Sequence, residues 1–281
     1  MRNLDEDNIT QAVIASHAGA PDVRLRELMT SLVQHLHEFA RETRLTTAEW
    51  QQGIEFLTAV GHMTTAQRQE FILLSDVLGL SMLVTAQNEK HPAGCTEATV
   101  FGPFHVPGAP RFENGSDIAN GAPGIACRVT GRVVDLGGEP IAGAEIDVWQ
   151  ADADGRYDVQ YPDAERHGAH RARGRLRSGA DGRFGFTSIV AEAYPIPHDG
   201  PVGRLLECLG RHPWRPAHLH FMISAPGFRT LVTHVFRDGD RYLDSDAVFG
   251  VRQTLIAEWQ RQDDGSYALD FEFVLDRAAA E

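Results

Sequence analysis

The chain has 281 residues, of which 42% are hydrophobic and 23% charged; it is long enough for one large domain, or one domain with a helical appendage, and too apolar to stay disordered. Its 39 acidic against 26 basic side chains give a formal net charge of −13, which repels phosphate backbones and disfavours nucleic-acid binding. Cys95, Cys127 and Cys208 stand far apart with no Cys-x-x-Cys pair, excluding a disulfide framework and a zinc knuckle. They read as ordinary buried or half-buried side chains in a reducing compartment. Residues 1–10 are polar and acidic, without the apolar segment of a secretory signal. No run reaches the roughly 18 apolar residues that span a bilayer, so a cytoplasmic protein with no membrane span is expected.

From about Asn8 to Asn88 the apolar period is helical, and four helices with short connections are predicted. Leu25, Leu28, Met29, Leu32, Val33, Leu36, Phe39 and Ala40 follow i, i+3, i+4, i+7 spacing and form one wide apolar stripe, read as packing surface. Thr46 with Glu49, and Thr64 with Gln67, have capping-box spacing and mark helix starts. Between Lys90 and Asn120, Pro92, Pro103, Pro107 and Pro110 fall among glycines, which predicts an irregular segment. Its middle, residues 99–104, is apolar enough to need cover from another segment or a ligand. From Cys127 onward the period is two. Strands are predicted over 128–135, 145–150, 183–188, 218–223, 231–236 and 267–275. Turn signals at Gly137-Gly138, Asp154-Gly155, Asp181-Gly182 and Asp238-Gly239 separate several of them. Short strands at this spacing suggest an antiparallel sandwich.

The first chemically informative run is Arg215-Pro216-Ala217-His218-Leu219-His220. Pro216 favours an extended start, and alternation along a strand puts His218 and His220 on one face. Two imidazoles on one face make half of a metal site, although such a pair also serves simple hydrogen bonding. Tyr157 follows the Asp154-Gly155 turn, and Tyr194 sits before Pro195 in a segment stiffened by Pro197. Rigid loops suit ligands that must hold position, while wall residues with satisfied hydroxyls would look the same. His35 and His37 read as surface or interface residues, His167 and His170 as members of a polar loop. His198 and His212 match no ligand position.

Residues 138–152, then Tyr157, Tyr194, Arg215, His218 and His220, resemble the intradiol ring-cleaving dioxygenases, and the likeness extends over nearly the whole chain. The N-terminal helices and Gly102-Pro103-Phe104 resemble the catechol 1,2-dioxygenase branch. Residues 71–76, 157–161 and 194–201 are similar to hydroxyquinol 1,2-dioxygenases in particular. The resemblance implies a mainly β protein with three parts: an α-helical dimerisation domain (1–90), a linker covering the active site (91–126) and an antiparallel β-sandwich catalytic domain (127–281). It further implies a homodimer through the N-terminal helices with a bound phospholipid. One Fe(III) per subunit, with no haem or flavin, would be held by Tyr157, Tyr194, His218 and His220. Phenolate oxygen is a hard anionic donor that favours a trivalent ion over Zn²⁺ or Fe²⁺. The partners implied are an ortho-diphenol and O2, with the iron activating the diphenol.

By the same matching, Arg215 stabilises carbanionic or peroxidic charge, with a structural salt bridge as its alternative role, and Tyr194 accepts a proton. Leu73, Asp76, Val100, Phe101, Gly102, Pro103, Phe104, Ile196, Pro197 and Val248 would line the substrate pocket. Asp76 either accepts a hydrogen bond from a third ring hydroxyl, favouring benzene-1,2,4-triol, or faces solvent on its helix. His234 stands where catechol-cleaving relatives usually carry Gln, and is read as orienting Arg215 or the peroxide rather than as a fifth ligand. The expected reaction converts hydroxyquinol to 3-hydroxy-cis,cis-muconate, tautomer of maleylacetate. A catechol or chlorocatechol 1,2-dioxygenase is the alternative on this scaffold, and a non-catalytic β-sandwich binding module is the alternative of another class.

Overall fold

The computed structural model describes residues 2–65, 68–161 and 170–278, which excludes Gln67 of the second capping box and His167. The chain forms two compact units, Met1–Ala59 and Val60–Glu281. The first holds α1 (Ile9–Ser16), α2 (Val23–Thr43) and most of α3 (Thr47–Met63). Asp22 caps α2 by accepting from the Leu25 amide at 3.0 Å, and Arg44, in the left-handed region, ends it. Thr46 and Glu49 form the predicted reciprocal cap of α3, with Thr46 N donating to Glu49 Oε2 at 2.9 Å and Glu49 N to Thr46 Oγ1 at 3.3 Å. Thr10 fixes α1 to α2, meeting His37 Nδ1 at 3.0 Å and accepting from Arg41 Nη2 at 2.6 Å. On the predicted stripe of α2 only Val33 is buried; Leu25, Leu28, Met29, Leu32, Leu36 and Phe39 are exposed.

After the last turn of α3, the second unit continues with α4 (Glu70–Val77) and α5 (Leu80–Asn88), which meet at 78°. Gly79, at φ +74°, makes that bend, and it is one reason five helices stand where four were expected. No single helix among the described residues is long and apolar enough to cross a membrane.

Two sheets follow. The first runs β10 (Gln260–Arg261), β11 (Tyr267–Leu275), β1 (Ala126–Asp135), β4 (Arg183–Ile189). The second runs β3 (Arg173–Arg177), β2 (Glu145–Trp149), β7 (His218–Ser224), β8 (Leu231–Arg237), β9 (Ile256–Ala257). Their facing sides meet in one core, where Phe221 of β7 lies 4.7 Å from Phe273 of β11 and 6.4 Å from Phe184 of β4 between ring centroids. Each such fully buried side chain contributes about 1.5–3 kcal/mol.

All six predicted strands are present within two residues of their expected ends. The sandwich is mixed rather than wholly antiparallel: β11, which follows β10 through a short turn, lies parallel to β1, and β9 lies parallel to β8. β3 was not foreseen, because its Arg-Gly-Arg-Leu-Arg sequence reads as a polar loop. Residues 91–125 are irregular but pinned to the sheets, through the bridges Arg111 to Arg175 and Asp117 to Thr187, and Ala126 already belongs to β1. Cys208 is exposed, against expectation, because it ends the outward face of α6 (Pro201–Cys208).

Candidate metal centre

β7 alternates as its sequence requires. Leu219 and Phe221 enter the core between the sheets, and His218 and His220 point to the opposite face, where their Nε2 atoms lie 3.1 Å apart. Trp149 of β2 pairs with His220 in register and stacks on its ring at 4.7 Å and 14°. His218 Nδ1 donates to the Pro216 carbonyl at 2.7 Å, which leaves its Nε2 lone pair facing inward.

Tyr157 reaches the same point from the loop after β2. Its amide donates to Gln160 Oε1 at 2.9 Å, and a 3₁₀ turn at Asp158–Gln160 follows. Arg173 clamps that turn through Asp158, at 2.6 Å from Nη2 to Oδ1, with both side chains buried. Phe104 stacks on the Tyr157 ring at 4.3 Å. Tyr194 lies on β5 (Tyr194–Pro195), which pairs with β6 (Trp214–Arg215) so that Tyr194 stands opposite Arg215. Gly155 brings the two tyrosine loops together. It sits at φ +72°, and a Cβ there would lie 3.0 Å from Tyr194 Cβ.

The result is a tight cluster of donor atoms. Tyr157 Oη is 2.8 Å from His220 Nε2 and 3.3 Å from Tyr194 Oη. Ligands at right angles on one ion, each about 2.1 Å from it, stand about 3 Å apart. The spacing therefore fits a metal ion, and so does the electrostatics. Burial and then the Arg215 charge hold His218 down to about 3, and burial holds His220 well below its ordinary value, so both imidazoles are neutral donors. Burial, with Tyr194 next, pushes the Tyr157 hydroxyl well above its usual range. A multivalent cation is what would hold such a group as phenolate.

Arg215 is buried beside the cluster, its Nη1 3.3 Å from His218 Nε2. Asp246 Oδ1 accepts from its Nε at 3.0 Å. His234 faces His220 across β7 and β8, and its Nδ1 lies 3.4 Å from Arg215 Nη2. Ring nitrogens of His218, His220 and His234 lie within 4.8 Å of one another, so three imidazoles are near enough to share an ion. His234 Nδ1, like His218 Nε2, faces the guanidinium, while the Tyr157 hydroxyl meets His220.

The expected pocket residues divide. Leu73, Pro103, Phe104, Ile196 and Pro197 line a cleft of about 660 Å³ together with Arg68 and Glu70. Asp76 is buried rather than solvent-facing, bonded to Ser81 and raised above the usual carboxylate range by burial; Arg215 and Asp246 are near enough to act on it electrostatically. Val100 and Val248 are buried, and Gly102 lies against His220. The Phe101 ring is exposed and packs on His105 and Trp149, outside that cleft. A larger cleft of about 860 Å³, around residues 85–98 and 252–274, holds none of these side chains. His198 and His212 are engaged locally, with Ile196 O and Ser245 Oγ. His35 is exposed, and His170 lies 3.7 Å from Asp158. Sequence reasoning missed Asp246 and the Asp158–Arg173 pair, since neither has a local motif.

Comparison with known proteins decides the family. A profile described as "Dioxygenase" matches residues 100–277, and one described as "Catechol dioxygenase N terminus" matches 22–96. The chain belongs to the intradiol dioxygenase family. This dioxygenase is 65% identical to 6-chlorohydroxyquinol 1,2-dioxygenase of Cupriavidus pinatubonensis over 98% of this chain and 99% of that one. It is 53% identical to hydroxyquinol 1,2-dioxygenase of Nocardioides simplex over 93% and 88%. The crystal structure of hydroxyquinol 1,2-dioxygenase from Pseudomonas putida DLL-E4 superposes with a TM-score of 0.90 at 45% identity, covering 97% of this chain and 99% of that one. Intradiol dioxygenases depend on non-haem iron and act on an aromatic diol with O2, which sets aside the non-catalytic binding module.

Proposed function

We propose that this dioxygenase cleaves hydroxyquinol (benzene-1,2,4-triol) between its two ortho hydroxylated carbons, giving 3-hydroxy-cis,cis-muconate and, by tautomerisation, maleylacetate. The observation that carries the reading is the run of contacts from Tyr194 Oη to Tyr157 Oη at 3.3 Å, on to His220 Nε2 at 2.8 Å and on to His218 Nε2 at 3.1 Å, beside a buried guanidinium. These four side chains would hold one Fe(III) per subunit. Two phenolates offset two of its three charges, which favours the ferric state. The chemistry a ferric ion supplies there is activation of the bound diphenolate ring toward O2.

The chain's own residues do the rest. Tyr194 Oη takes a proton from the incoming diphenol, and Arg215 stabilises the negative charge that develops on the ring. His234 Nδ1 accepts from Arg215 and helps to aim it. Leu73, Val100, Phe104, Ile196 and Val248, with Gly102, Pro103 and Pro197, form an apolar wall that excludes water, and Phe101 backs it through Trp149. Asp76 accepts a hydrogen bond from the third hydroxyl. Catechol brings no hydroxyl to meet that acceptor, and a site built for a hydroxyl discriminates more strongly than an apolar wall. The enzyme works as a cytoplasmic homodimer, with the exposed stripe of α2 as contact surface and seat for a phospholipid chain.

Turnover of benzene-1,2,4-triol is compared with that of catechol and of 6-chlorohydroxyquinol. The proposal expects both triols to exceed catechol, and equal or better use of catechol rejects it. The chlorinated triol is a second substrate by the 65% identity to an enzyme named for it. Asp76→Ala should reduce triol cleavage more than catechol cleavage.

A further inference from the structure

The Arg215 guanidinium is fixed from behind. Its Nε donates to Asp246 Oδ1 at 3.0 Å and its Nη2 to Oδ2 at 3.2 Å, a two-point fork that sets the plane of the group. The fork leaves Nη1 for the face occupied by His218 Nε2, 3.3 Å away. Asp246 is buried, and its own carboxylate is held by two backbone amides of the turn it starts, Val248 N at 3.3 Å and Gly250 N at 2.9 Å.

That turn is shaped for the purpose. A Cβ at Gly250 would lie 2.9 Å from Arg215 Nη2 and 3.2 Å from Asp246 Oδ2, so a larger residue there would press on the ion pair. Phe249 is in the left-handed region at φ +60°, under the Arg211 guanidinium at 4.8 Å from its ring centroid. Arg211 also donates to the carbonyls of Ala247 at 2.9 Å and Val77 at 2.6 Å, tying the turn to the helix that carries Asp76. Several contacts thus converge on one carboxylate.

We propose that Asp246 is the positioning residue that aims Arg215 at the reacting ring. The inference rests on the reading of Arg215 as the charge-stabilising group. The electrostatics make aim decisive. Arg215 and Asp246 together are neutral, so their combined field falls off steeply with distance, and stabilisation reaches the ring only through a correctly placed N–H. An ion pair that merely supported the fold would have no need to reserve one edge of the guanidinium for the cluster.

A double-mutant cycle tests this, with kcat, KM, iron content and melting temperature measured for Asp246→Asn, Arg215→Ala and the pair together. Asp246→Asn should keep its iron and its KM for the triol within about threefold, and lose roughly 30- to 100-fold in kcat. In the Arg215→Ala background the same change should alter kcat less than about twofold, because Asp246 acts only through Arg215. It should also raise the melting temperature of that background by roughly 6 °C or more, since it removes a buried carboxylate that has lost its cation. Asp246→Asn with native kcat, or with an equal loss in both backgrounds, overturns the proposal. Full turnover by Arg215→Ala alone would overturn the reading of Arg215 and this inference with it; loss in Arg215→Ala but not in Asp246→Asn overturns this inference alone. Should Asp246→Asn fail to fold, Asp246→Glu takes its place, and native kcat with the displaced carboxylate counts against the proposal.

Discussion

Gly155→Ala is a small change with a large expected effect, because it acts on the contact that joins the two tyrosine loops. At φ +72° an alanine costs about 1–2 kcal/mol in backbone strain. The new Cβ would lie 3.0 Å from Tyr194 Cβ, where ordinary carbon contacts are about 3.6 Å, so one loop moves by about 0.6 Å. Overpacking on that scale adds about 1 kcal/mol. The sum, roughly 2–3 kcal/mol, corresponds to a fall of about 4–12 °C in Tm for a unit of this size. The shift also separates the Tyr157 and Tyr194 hydroxyls, now 3.3 Å apart, so metal affinity should fall as well. Thermal melts of the apo and iron-loaded protein, with iron loss to a competing chelator, measure both effects. A Gly155→Ala variant that melts and retains iron like the parent would refute the close-contact argument.

Other changes probe other links. Arg173→Met leaves the Asp158 carboxylate buried without its cation, a loss of roughly 3–5 kcal/mol; adding Asp158→Asn should recover much of the Tm, and a single variant as stable as the parent would contradict the clamp. Asp76, raised by burial, favours the folded state most when protonated, so its contribution is retained at acid pH and lost as pH rises through its folded pKa. Asp76→Asn should therefore raise the apo-protein Tm at pH 8, with the gain shrinking toward pH 4; a gain independent of pH would speak against a buried carboxylate. Leu28→Glu with Leu32→Glu charges the exposed stripe of α2 and should shift the protein to a monomer in sedimentation, whereas an unchanged dimer would place the contact elsewhere.

Much of the fold was legible because its signals are local. The alternation of β7 is enough to put Leu219 and Phe221 on one face and His218 and His220 on the other, and the Thr46–Glu49 cap formed as its spacing dictates. What stayed hidden depends on long-range pairing. β3 reads as a basic loop until Arg173 finds Asp158 and the strand finds β2. The parallel place of β11 beside β1 follows from a return across the sheet that no local pattern records. At the site, the two histidines were readable from strand period, and the two tyrosines only through family likeness, since a tyrosine in a rigid loop looks like a wall residue. Asp246, 31 residues from its partner Arg215, has no sequence signal; only the turn at Phe249 and Gly250 shows why it is there.

Resonance Raman spectroscopy of the iron-loaded protein, excited in its visible absorption band, asks most directly what holds the metal. Two sets of tyrosinate modes are expected, with one set lost in Tyr157→Phe and the other in Tyr194→Phe, and both kept in His234→Gln. Spectra without tyrosinate modes, or iron binding abolished by His234→Gln but untouched by either Phe substitution, would assign the ion to the three histidines and contradict the phenolate centre.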